Sequence, residues 1–105
     1  MLLVLTAAAG TYTALGTEPF WNLVVDRRAL RLERAGEPTV TRRRPVLRIR
    51  KGVRRYTAGD MTVQVVRQRC SDGMSDRLFA DRVTVRWRGQ VLEGCGRPIG
   101  ASPDP

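Results

Sequence analysis

The sequence has no histidine, a single lysine (Lys51) and only two cysteines. The missing histidine excludes Ser-His-Asp and Cys-His catalysis, His-ligated zinc and His-ligated haem. Two thiols cannot form a structural zinc site by themselves, and there is no CxxC redox motif. No stretch approaches the ~20 apolar residues of a membrane-spanning helix, so a polytopic membrane protein is excluded. Only six residues are aromatic, two each of Phe, Trp and Tyr, too few for a broad base-stacking platform.

What is there suits one small domain. The chain has 105 residues and 11.8 kDa, enough for one core and not two. A hydrophobic content of 42% excludes disorder by composition. The formal net charge is +9, from 19 basic and 10 acidic residues, and all the basic residues except Lys51 are arginine. Phosphate contact needs positive charge and not specifically guanidinium. The near-absence of lysine therefore reads as GC-rich codon usage, and the charge as thin support for an anionic partner.

Residues 1–9, MLLVLTAAA, are apolar and give way to polar residues after small ones. This has the form of the end of a signal peptide cleaved near Ala9, without its charged n-region; the other reading is a first β-strand. No cysteine follows the apolar run, so a lipid-anchor site is absent from this stretch. Cys70 and Cys95 form an even pair in a small chain, which reads as one disulfide. It would close a loop of about 26 residues and contribute roughly 3–4 kcal/mol. Two free buried cysteines are the alternative.

Period-two alternation dominates the rest. Trp21, Leu23 and Val25 share one face, as do Leu30 and Leu32, Leu47 and Ile49, and Val83, Val85 and Trp87. Arginines hold the alternate positions, as in antiparallel sheet with one wet face. Arg42–Arg44, Arg54–Arg55, Arg67/Arg69 and Arg82/Arg86/Arg88 are accordingly read as mostly solvated. Parity shifts at Val66, which predicts a β-bulge near Val65–Val66. Turn signals stand at 26–28, 36–38, 59–60 and 88–90. The expectation is an all-β meander or barrel of seven to eight strands over residues 10–98, with a flexible tail at 99–105. One short helical turn is expected near 72–79, where Met74 and Leu78 are spaced i, i+4.

Two clusters stand out: Gly16-Thr17-Glu18-Pro19-Phe20-Trp21, and Cys70-Ser71-Asp72-Gly73-Met74-Ser75-Asp76 followed by Gly94-Cys95-Gly96. Together they resemble an uncharacterised family of small bacterial envelope proteins, lipoproteins and membrane proteins by description. That family shows G-[T/N]-E-P-F-W near the mature N-terminus, then C-x-D-G-M-S-D and a hairpin ending in G-C. The resemblance spans about residues 12–97. It implies export and a β-rich domain, and no established activity. The chain departs from many members in lacking a lipidation cysteine.

Candidate binding residues are Glu18, Phe20, Trp21, Asp72, Met74 and Asp76. Phe20 and Trp21 are consecutive, so on a strand they face opposite ways, with Trp21 the core member. Glu18 either rims a binding mouth or accepts from a nearby arginine. Asp72 and Asp76 suit turn capping better than calcium, which needs more oxygen ligands. No catalytic, metal or cofactor residue is assigned. The expected function is a non-enzymatic periplasmic or secreted envelope accessory, binding an anionic ligand or a protein partner. Two alternatives are an OB-like nucleic-acid binder, which needs exposed aromatics on the basic sheet, and an inhibitor of a secreted hydrolase. A hydrolase using Glu18 with Asp72 or Asp76 would require those carboxylates to converge in one cleft.

Overall fold

A computed structural model describes residues 11–17, 19–71, 73 and 78–99; among them there are nine strands and no helix. The strands are β1 (Tyr12–Thr17), β2 (Phe20–Val25), β3 (Ala29–Arg34), β4 (Val40–Arg43), β5 (Val46–Arg50), β6 (Val53–Ala58), β7 (Met61–Ser71), β8 (Leu78–Trp87) and β9 (Gln90–Pro98). They form one antiparallel sheet in the order β4-β3-β2-β1-β9-β8-β7-β6-β5.

Each ladder joins strands adjacent in the chain, except β1–β9, which joins its two ends. β4 and β5 stand at opposite ends of the strand order, yet only Arg44 and Pro45 separate them. Two linking residues cannot carry Arg43 and Val46 more than ~11 Å apart. The sheet must therefore curl until its ends meet. Alternating directions make β4 and β5 run the same way, so they act as two halves of one bent strand. The first half pairs with β3 and the second with β6. The bend falls at Arg44, with φ 56°, and at Pro45, which has no amide donor.

Alternate residues fill the curl. Trp21, Leu23 and Val25 face Leu30 and Leu32 of β3, and Met61, Val63 and Val65 of β7 join Val83 and Val85 of β8; all are buried. Trp21 fits because two glycines make way for it. A Cβ on Gly16 would strike the indole Nε1, and one on Gly94 would lie 2.9 Å from Cζ2 as well as on the Leu15 carbonyl oxygen. Gly96 does the same for Tyr12, whose Oη would lie 2.6 Å from an added Cβ.

Among the described residues the interior holds one carboxylate, Asp81, at 1% exposure. Tyr12 Oη donates to its Oδ2 at 2.6 Å, and Arg54 Nη2 donates at 3.0 Å. Arg67 Nε lies 3.6 Å from Oδ1. A buried carboxylate without such partners would be strongly destabilising. Burial, and then the hydrogen bond to Asp81, push the Tyr12 phenol above its ordinary value of 10.0, and burial raises Tyr56 too. Both phenols are more acidic in the unfolded chain than in the folded one. Stability is therefore full below pH 10 and falls as pH climbs beyond it. Phenolate absorbance is expected to emerge together with loss of near-UV circular dichroism; ionisation at the ordinary pH in an intact fold would contradict the buried network.

Several expectations need correction. The ladder between β7 and β8 is regular from Met61 to Arg67 and shifts between Arg67 and Cys70, so the irregularity lies beyond Val65–Val66. Val66 simply points to the other face and is half-buried. The paired apolar residues Leu47 and Ile49 face no core: every residue of β5 is exposed. Trp87 is only half-buried. The short helical turn is not seen: Leu78 and Phe79 already belong to β8, while 72 and 74–77 lie outside the described residues, as do 1–10 and 100–105.

Candidate ligand surface

The two sequence motifs converge. Gly16 and Thr17 of the first motif line one cleft with Cys70, Ser71, Gly94 and Cys95 of the second. Its volume is about 160 Å³, and Leu15, Arg82 and Glu93 complete the wall. The Cys70–Cys95 disulfide forms its edge, with a Cα–Cα distance of 5.5 Å. β7 and β9 are not neighbours, since β8 lies between them. Strands two places apart in a flat sheet lie ~10 Å apart. The end of β7 stays paired with the start of β8, Cys70 with Phe79 and Ser71 with Leu78, so the two strands bend together toward β9 beyond the register shift after Arg67. Cys70, Phe79 and Cys95, with Leu15 against them, make a small second core there.

This cleft has little chemistry in it. Its charged pair, Arg82 and Glu93, lies 3.6 Å apart and is exposed. Among the described residues no group of His, Cys, Asp or Glu could hold a metal ion. Of the candidate residues, Trp21 is buried at 1% and serves the core, while Phe20 is 52% exposed. Glu18, Asp72, Met74 and Asp76 lie outside the described residues.

A second cluster closes the seam of the sheet. The Trp87 ring lies under three guanidinium groups, from Arg34, Arg88 and Arg42, at 4.9, 5.0 and 5.8 Å. Asp60 accepts from Arg42 Nε at 2.7 Å and from Arg88 Nε at 3.2 Å. The Arg42 bond, above all, holds the Asp60 carboxyl down at about 2. This ties β4 to the turn between β6 and β7.

Whole-chain composition hides the largest charge feature. Residues 38–59 carry eight of the 19 basic residues and none of the ten acidic ones. The other 83 residues hold 11 basic and ten acidic, a net +1. Codon usage alone gives no reason for such segregation. The fold makes this segment the bent strand and the β5–β6 hairpin. Lys51 and Gly52 turn the hairpin with φ 53° and 82°, the left-handed pair that matches strand twist.

The hairpin presents its cations together. Arg48 pairs with Arg55 across the ladder, and Arg50 with Val53. Arg48, Arg50, Lys51, Val53, Arg55 and Gln64 line a groove of about 400 Å³. Arg55 Nη2 donates to Gln64 Oε1 at 2.6 Å. The groove runs on into a second of about 290 Å³ that shares Arg55 and Gln64 and adds Thr62, Thr84 and Arg86. Among the described residues, no carboxylate and no aromatic residue lines either one. Arg54, next to the turn, instead points inward to Asp81 and ties the turn end of the hairpin to the core.

No protein-family model matches the chain, and comparison with curated proteins and with solved structures returns no match.

Proposed function

We propose that the protein is a small non-catalytic binding domain of the cell envelope that holds an anionic ligand on its β5–β6 hairpin. The observation that carries this reading is the placement of charge: a segment of eight cations without a carboxylate, four of which, Arg48, Arg50, Lys51 and Arg55 of the β5–β6 hairpin, line one groove. The guanidinium fork suits phosphate or carboxylate oxygens. The Cys70–Cys95 bridge supports a periplasmic or secreted setting, since disulfides persist in oxidising compartments. No aromatic among the described residues lines the groove to stack a base, so hydrogen-bonded and ionic contact with a flexible polyanion fits it better than single-stranded nucleic-acid readout.

Inorganic polyphosphate is a suitable probe. Four engaged cations would give log K against log salt a slope of about −3, by analogy with single-stranded nucleic acid. Affinity independent of salt would contradict the reading.

A further inference from the structure

We infer that the hairpin docks on the surface of an anionic phospholipid bilayer, an inference that rests on the anionic-ligand reading above. A soluble polyanion needs only the cations. The hairpin also exposes three branched aliphatic side chains, Val46 at 50%, Leu47 at 45% and Ile49 at 65%. Strand alternation puts Leu47 and Ile49 on one face and Val46, Arg48 and Arg50 on the other. Leu47 and Ile49 are neighbours on that face, and contiguous apolar surface of this kind marks an interaction site.

Charge decides which partner. Arg48, Arg50, Lys51 and Arg55 make no ion pair among the described residues, and the segment 38–59 has no acidic residue. A second copy of this chain would bring the same cations and be repelled. A bilayer carrying acidic headgroups offers both halves of the complement: anionic oxygens for the guanidinium groups, and acyl chains beneath them for Leu47 and Ile49.

The depth is limited by the backbone. β5 has a ladder neighbour on one side only, β6. Its other row of amide and carbonyl groups must stay hydrated, because unpaired backbone groups are not tolerated in hydrocarbon. The hairpin therefore lies at headgroup level, with the aliphatic tips reaching the acyl boundary. Arg54, bound to Asp81 in the core, holds the turn end of the hairpin against the sheet, so the hairpin docks as a fixed face.

The test is co-sedimentation with vesicles of phosphatidylcholine alone, and of phosphatidylcholine with about a third phosphatidylglycerol, beside polyphosphate binding. The wild-type protein is expected on the anionic vesicles and not on the neutral ones. The double variant Leu47→Gln, Ile49→Gln changes two exposed positions, so its melting temperature is expected to stay put. It is expected to lose at least about tenfold in vesicle affinity while binding polyphosphate as before. Equal vesicle binding by variant and wild type overturns the inference. So does wild-type binding to polyphosphate without binding to anionic vesicles, and that result leaves the anionic-ligand reading standing. Binding to neither probe removes both.

Discussion

The double variant Cys70→Ala, Cys95→Ala is expected to unfold about 15–25 °C below the wild-type protein. The two cysteines are 25 residues apart in sequence, and closing such a loop restricts the unfolded chain by roughly 3–4 kcal/mol. In the folded state the bridge crosses β8 and pins the bent end of β7 to β9. Its sulfurs belong to the small second core with Phe79 and Leu15. Reducing agent should reproduce the loss in the wild-type protein. An unchanged midpoint in a calorimetric scan would show that the β7 end is held by packing alone.

Gly94→Ala is expected to cost about 3 kcal/mol, high for the addition of one methyl group. A Cβ there would land on the Leu15 carbonyl oxygen, 2.7 Å from its carbon and 2.9 Å from the Trp21 ring. A flexible side chain could give way, but the β1 backbone cannot, because Leu15 is paired with Cys95 and Asn22 on either side. Gly36→Ala makes the contrast. Nothing lies within 4 Å of its added Cβ, and only its φ of 78° opposes the change, worth about 1 kcal/mol. Urea titrations of both variants measure the difference. A Gly94→Ala protein as stable as Gly36→Ala would mean that β9 and β1 can slide apart around Trp21.

Much of this fold could be read from the residues. Alternation at 21–25, 30–32 and 83–85 marked the core strands, because those strands are wet on one face and buried on the other. The disulfide followed from two cysteines in a small chain. The same alternation misled at Leu47 and Ile49. Period two reports that a strand has two faces; it cannot report whether another layer covers one of them. β5 is the last strand of the order and every residue in it is exposed, so its apolar face stays in water. Val66 misled in a related way: a half-buried valine on the outer face imitates a parity change.

The candidate site was less legible. Gly16, Trp21 and Gly94 belong to the sequence motifs, and their geometry is that of an indole bedded between glycines. The charge signal was available but diluted, because a whole-chain average of +9 conceals a segment of +8 beside a remainder of +1. Counting charge along the chain would have found the hairpin. Its place at the end of the sheet depends on the β4–β5 bend, which only the pairing of β3 with β4 and of β6 with β5 reveals.

The most direct measurement compares two variants with the same loss of charge. One changes Arg48, Arg50 and Arg55 to Gln and Lys51 to Asn, which tolerates the left-handed turn. The other changes Arg27, Arg28, Arg31 and Arg69 to Gln, all exposed and all outside the hairpin. Polyphosphate affinity of the hairpin variant is expected to fall about 100-fold, with a flatter salt dependence, and that of the second variant by less than about threefold. Equal losses in the two would mean that binding follows net charge and that the hairpin is not the site.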